Sequence, residues 1–247
     1  MRKNVLRDNF DFLERLRMTT SLESSACVLS ALLKQYGFGN LIYGFFSPGD
    51  KQDNIPNISV ASTLPEEFLK IYYESGGVKN DPIVNKLPDI KATEDHDNLA
   101  LYDGGSLYRR HPLLVMLLDH SIDYGLISPI RQRNGLGSIL TFSNSENRKE
   151  RICASRNEDN KCLVEHATGI FHEYVHNNGF LKEMYNLTVK EVDTLNYIAN
   201  GLSGSQIADR LKISERAVEK RLASARNKLG ANNSANAVYR AMVLGLI

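Results

Sequence analysis

An α+β fold is what this chain predicts, and three observations predict it. Short aromatic and β-branched runs bounded by turn residues lie in its first two thirds, apolar residues at helix spacing flank those runs, and the last quarter is helical throughout. Strands packed with helices, then helices alone, read as an antiparallel sheet with helices on its faces followed by a second, all-helical domain. At 247 residues the chain is long enough for two.

In order, helices are expected over Leu6–Leu16 and over Leu22–Tyr36, where Ala26, Leu29, Leu32 and Leu33 recur on one stripe and Gly37 and Gly39 end the segment. Strands are expected over Asn40–Phe46, Ile58–Ala61, Leu126–Arg131 and Ser138–Phe142, the last two joined as a hairpin through Arg133-Asn134-Gly135. Between them fall a helix from Pro65 to Glu74, a loop-rich section from Lys86 to Gly105 and a helix through Leu113–His120. A long amphipathic helix from Glu158 to Asn177 carries Leu163, Ala167, Ile170 and Tyr174 on one line, and Asn177-Asn178-Gly179 supplies its stop. The first domain is therefore set at 1–177, a linker at 178–186 and the second domain at 187–247.

The tail is read from its caps. Thr188 with Glu191 and Ser203 with Gln206 each fit a capping box, in which a hydroxyl and a carboxylate or amide three residues on satisfy each other's backbone amides. Helices thus begin near 189 and 204. The second reaches Leu211, Lys212-Ile213-Ser214 forms a turn, a third helix runs to Leu229, and Ser234 caps a fourth. A short helix, a three-residue turn and a longer helix is the spacing of a helix-turn-helix, whose second helix enters the DNA major groove.

That helix has two suitable faces. Val218, Leu222, Ala225 and Leu229 make an apolar stripe to pack on Leu195, Ile198, Ile207 and Leu211, while Arg216, Lys220, Arg221, Ser224, Asn227 and Lys228 offer donors for phosphates and base edges. Charge agrees: from Leu187 onward nine Lys/Arg face five Asp/Glu, so a tail of +4 follows a body of −3 within a total of +1. Such contacts displace counterions, and affinity for duplex DNA should fall steeply with salt. On charge alone, a solvated basic helix competes evenly with this reading.

Composition excludes other classes. Apolar residues at 42% and charged residues at 24% are those of a globular chain. No apolar run is long enough to span a bilayer and the charged first residues lack a signal-peptide core, so no membrane partner and a cytoplasmic location are expected. Cys27, Cys153 and Cys162 are read as reduced thiols. His172-Glu173-Tyr174-Val175-His176 spells the H-E-x-x-H of zinc peptidases. On the apolar line taken above, both imidazoles point away from the core with no third ligand; Cys162 and His166, at i and i+4, are another weak metal pair that nothing completes. Metallopeptidase activity is kept as a remote alternative; no catalytic residue, metal or cofactor is assigned.

The tail LTVKEVDTLNYIANGLSGSQIADRLKISERAVEKRLASARNKLGANNSANAV resembles, end to end, the DNA-binding domain of LuxR-type regulators. Glu191, Leu195, Gly201, Ile207-Ala208, Ile213-Ser214, Val218 and Lys228-Leu229 carry the match, while Lys212, Ala217 and Arg221 replace a frequent glycine, threonine and histidine. Ahead of it, the alternating strands and acidic cluster of a receiver domain are not found. Instead STLPEEFLKIYYESGGVKNDPIV, with Tyr72, Asp81 and Pro82, and SIDYGLISPIRQRNGLGSILTFS, with Gly125 and Thr141, resemble the autoinducer-binding domain of quorum-sensing LuxR proteins.

The resemblance implies an α-β-α sandwich that dimerises and encloses an acyl-homoserine lactone, its polar head held by the tyrosine, the aspartate and the Ser or Thr. It assigns the pocket to Leu64, Phe68, Tyr72, Asp81 and Thr141, and implies a homodimer on pseudo-palindromic DNA, working with RNA polymerase. The chain has no tryptophan. Phe68 stands at the family's first pocket tryptophan, Leu64 at a tyrosine, and Asp95 or His96 near the second tryptophan, so the indole donor for the lactone carbonyl is gone. A non-lactone or atypical small signal, as in the family's solo receptors, is placed slightly ahead of a lactone; a ligand-independent regulator is the alternative. Without the resemblance, each pocket residue reads as a core position.

Overall fold

The computed structural model describes residues 2–46, 59–74, 86–87, 89–97, 122–132, 135–143, 145–181 and 185–247. The chain forms two compact units, dividing after Tyr174. The first contains α1 (Arg2–Arg17), α2 (Leu22–Leu33), β1 (Phe38–Phe46), β2 (Ser59–Ser62), α3 (Glu66–Glu74), β3 (Glu94–Asp97), β4 (Tyr124–Gln132), β5 (Gly135–Ser143), α4 (Arg148–Arg156) and most of α5 (Glu158–Asn177). The second contains α6 (Val189–Ala199), α7 (Gly204–Leu211), α8 (Glu215–Leu229) and α9 (Ser234–Val243). No helix among the described residues is long and apolar enough to cross a membrane.

Among the described residues, five strands form one sheet in the order β2-β1-β5-β4-β3. β4 and β5 pair antiparallel from Gly125↔Phe142 to Gln132↔Gly135, which is the expected hairpin. β3 pairs antiparallel with β4 and replaces part of the loop expected over Lys86–Gly105. Its sequence, Glu94-Asp95-His96-Asp97, lacks the apolar alternation that announces a strand; the ladder on its neighbour supplies the order instead. The helix expected through Leu113–His120 lies outside the described residues.

Side chains alternate across a strand, so the register divides the sheet into two faces. On one, Ile42, Leu140 and Phe142 pack with Leu64, Phe68 and Tyr72 at and within α3. Thr63 anchors that segment by bonding both backbone groups of Leu41, its amide to Leu41 O at 3.0 Å and its Oγ1 accepting from Leu41 N at 2.9 Å. On the other face Tyr43 meets Phe171 edge-on at 5.3 Å and bonds His172 Nδ1 at 2.9 Å.

α4 has no counterpart in the sequence reading, because RKERICASR offers no apolar stripe. Charge docks it. Asp123, 1% exposed, takes Arg151 Nη2 at 2.8 Å and Arg148 Nε at 3.1 Å, and Arg151 Nη1 also donates to the carbonyls of Ser145 and Glu146 at 2.7 and 2.9 Å. Burying such a pair costs desolvation that the two Nη1 bonds help to offset, while Arg151 Nε, also buried, has no hydrogen-bond partner among the described residues. Next to it Tyr124 donates to Asp95, which Arg156 and Lys161 approach at 3.5 and 4.0 Å. Burial raises the Tyr124 hydroxyl above its ordinary range and the Asp95 bond adds to that.

α5 begins and ends where expected, but its buried face is different. Val164, Ala167, Thr168, Phe171, His172 and Val175 are buried, whereas Ile170 and Tyr174 are half-exposed. His172 therefore points into the core rather than away from it. The segment expected as a linker also carries buried side chains, Leu181 and Tyr185.

Candidate nucleic-acid interface and small-molecule pocket

The second unit is built from its caps. Thr188 and Glu191 close a capping box on α6, with Thr188 N to Glu191 Oε2 at 2.7 Å, and Ser203 and Gln206 close one on α7, with Ser203 N to Gln206 Oε1 at 2.8 Å. Ser214 caps α8 by accepting from Ala217 N, and Asn233, not Ser234, caps α9 by accepting from Asn236 N. Lys212 ends α7 in the left-handed conformation, φ 53°, where a side chain other than glycine's is strained by roughly 1 kcal/mol. This accounts for the glycine frequent in the family at that turn.

Val218, Leu222, Ala225 and Leu229 are buried on α8 against a core that includes Leu195 and Ile207. At 100° per residue, Arg216, Lys220 and Asn227 fall within about 40° of one another and opposite that stripe. All three are exposed. Arg221 lies to one side and is half-buried; among the described residues neither it nor Arg216 nor Lys220 forms an ion pair.

Lys228 and Ser224 have other partners. Lys228 Nζ bonds Glu191 Oε2 at 2.8 Å and Asn186 O at 2.7 Å, tying the end of α8 to the start of α6. Burial alone would push the Glu191 carboxyl up, but hydrogen bonds from Lys228, Ser224 and Thr188 outweigh it and bring it down to about 2. Of the six polar residues read as one face, Arg216, Lys220 and Asn227 project together, Arg221 flanks them, and Ser224 and Lys228 serve the Glu191 network. The position of Glu191 inside a capping box had concealed its second role. Arg240, which the sequence reading did not single out, is 6% exposed and donates from Nη1 to Leu229 O at 2.6 Å, fastening α9 to the end of α8. Burial lowers its guanidinium below the ordinary arginine range.

In the first unit Leu64, Phe68 and Tyr72 come together with Ile122, Ile42, Leu140 and Phe142. Phe68 and Tyr72 stack with ring planes 11° apart and centroids 6.5 Å apart. Thr141 does not join them. It pairs with Leu126 while Phe142 pairs with Gly125, so its side chain takes the opposite face, where Oγ1 donates to Leu126 O at 3.4 Å. Asp81 and Pro82 lie outside the described residues. Of the two candidates for the second tryptophan position, Asp95 belongs to the charged face, whereas His96 lies on the α3 face with its ring edge-on to Phe142 at 5.6 Å.

The H-E-x-x-H residues do not converge. His172 is held by Tyr43, Glu173 is exposed, and His176 Nε2 bonds Val243 O at 3.0 Å. Among the described residues no group of three or more His, Cys, Asp or Glu is placed to hold a metal ion.

Two families match this chain. Residues 23–175 match the autoinducer binding domain, and residues 185–241 match the bacterial regulatory proteins of the luxR family. The chain is 24% identical to the transcriptional activator protein AnoR of Acinetobacter nosocomialis, over 89% of its own length and 90% of AnoR. It is 22% identical to the transcriptional activator protein SolR of Ralstonia nicotianae, with 89% and 90% covered. With the transcriptional regulatory protein YdfI of Bacillus subtilis it shares 51% identity over 61 residues, 25% of this chain and 29% of YdfI. Among solved structures, SdiA in complex with octanoyl-rac-glycerol superposes with a TM-score of 0.57 at 16% identity, covering 97% of this chain and 94% of that one. The N-acylhomoserine lactone dependent factor CepR2 of Burkholderia cenocepacia gives 0.52 at 18%, covering 71% and 98%. Both likenesses are of fold.

Proposed function

Because the chain belongs to the LuxR family of transcription regulators, with an autoinducer-binding domain ahead of its helix-turn-helix, we propose that it is switched by a small amphiphile whose head is not a homoserine lactone. It is a regulator and not an enzyme, which retires the peptidase alternative. The observation that carries the choice of ligand is the Phe68–Tyr72 stack: where the family places an indole N–H, this wall presents a hydrocarbon edge. A lactone carbonyl brought against it would lose a hydrogen bond on leaving water. An acyl or aromatic body loses nothing there. SdiA, of the same fold, is seen with octanoyl-rac-glycerol, an acyl chain bearing a diol in place of a lactone, which supports the reading.

On this reading the ligand-loaded protein is a cytoplasmic homodimer on a pseudo-palindromic DNA site, presenting Arg216, Lys220 and Asn227 of each α8 to the major groove and working with RNA polymerase. The signal is its small molecule and no further cofactor is needed. Close packing of Leu64, Phe68, Ile122 and Phe142 favours a second reading, in which the core is complete without ligand.

The test is mass spectrometry of small molecules released from the purified protein, paired with fluorescence anisotropy on a selected duplex. A non-lactone amphiphile that alters DNA binding is expected. A copurifying acyl-homoserine lactone would overturn the proposed head group, and DNA binding indifferent to any extract would establish the second reading.

A further inference from the structure

On the face of the sheet away from α3, a cavity of about 160 Å³ lies along one edge of α5, lined by Pro129 and Ile130 of β4 and by Glu165, Thr168, Gly169, His172 and Glu173. The helical residues recur at spacings of three and four, so they form one strip. We infer that this trench is a binding site for a linear aliphatic polyamine, with its terminal ammonium groups at Glu165 and Glu173 and its chain over Gly169.

Four observations point there. First, Thr168 is 2% exposed, lines the cavity, and its Oγ1 has no hydrogen-bond partner among the described residues. A buried hydroxyl left that way is costly, and a donor entering the trench would satisfy it. Second, Gly169 sits in mid-helix, where glycine costs roughly 1 kcal/mol relative to alanine. A Cβ there would meet nothing within 4 Å, so no packing within the described chain requires the glycine. The space it leaves admits close approach by something from outside.

Third, the charges select the visitor. Glu165 and Glu173 are exposed and eight residues apart, about 12 Å along the helix axis. That separation suits a cation with charges at both ends of a slender chain. It does not suit a compact metal ion, and no group of three metal-ligating side chains is present among the described residues. A second copy of the chain crossing at Gly169 on a two-fold axis would set Glu against Glu. Fourth, the trench is built rather than incidental: His172, 2% exposed, is fixed at its wall by the 2.9 Å bond between Nδ1 and Tyr43 Oη.

The experiment is calorimetric titration of the full-length protein, without DNA, with spermidine, n-butylamine and MgCl2. Saturable spermidine binding is expected, at least ten-fold tighter than that of n-butylamine, which carries one charge. Glu165→Gln and Glu173→Gln should each weaken spermidine roughly five-fold, as loss of one exposed ion pair allows. Thr168→Val should weaken it also, and Gly169→Leu, which fills the trench, should abolish it. Should Gly169→Leu fail to fold, the two Gln variants decide, since both side chains are exposed. Spermidine affinity unchanged by the Gln variants, or matched by n-butylamine, or erased by equimolar Mg2+, would overturn the inference.

Discussion

The α3 face of the sheet and the outer face of α8 are both rows of side chains on regular elements, yet they are specified in different ways. On α8 each position is decided within the helix and its caps, so the buried stripe and its opposite can be counted from Ser214 onward. On the sheet, the face a residue takes depends on a register set between strands distant in sequence, and one residue of slippage exchanges core for opposite face. Thr141 and Phe142 are neighbours in the chain and belong to different sides of the molecule.

Substitutions can break that contrast at its strongest point first. Phe68→Ala, within the packed wall, should lower unfolding stability by about 3–5 kcal/mol in urea titration, whereas Thr141→Val should cost little and leave a ligand dose curve in place. Loss of the ligand response in Thr141→Val would return that residue to the pocket. Next is the Glu191 network. Its carboxyl titrates at about 2 in the folded protein against 4.5 as its ordinary value, so the stabilisation is complete above about pH 4.5 and is lost as pH falls toward 2. Partial exposure of the partners limits it to roughly 2 kcal/mol. Urea midpoints followed from pH 7 to pH 3 should drop in the wild type and lose that component in Glu191→Gln.

Smaller effects separate contact from scaffold on α8. Arg216→Ala and Lys220→Ala should each weaken binding to a cognate duplex roughly ten-fold with an unchanged melting temperature. Lys228→Ala should show its first effect in melting temperature. Equal behaviour of all three would erase the division drawn between them. Smallest of all, Lys212→Gly should relieve left-handed strain and stabilise the protein by about 0.5 kcal/mol, read from the urea midpoint, without changing DNA affinity.

What could be read in the chain follows the same contrast. The four tail helices, their boxes at Thr188 and Ser203 and the turn at Lys212 are written within a few residues of where they act, and they were found there. Phe68 and Tyr72, four residues apart, also share a face because α3 puts them there, and Leu64 joins them from the bend just before that helix. β3 and α4 were missed because neither carries an apolar pattern: the first is ordered by its neighbour's ladder, the second by Asp123 meeting two arginines. The buried side of α5 was misplaced because Thr168 and His172, both polar, lie within it. Polarity signals solvent only when no partner such as Tyr43 lies across the interface.

The bond from Arg240 to Leu229 also has an electrical consequence. Aligned peptide dipoles leave about half a positive charge at the start of a helix and half a negative charge at its end. In α8 a guanidinium sits on the terminal carbonyl and offsets the negative pole inside the protein. The positive pole at Ser214 remains at the surface beside Arg216, with Glu215 offsetting part of it. The helix is therefore lopsided as a source of field: its end is quieted by its own domain, and its beginning is left to act on a phosphate.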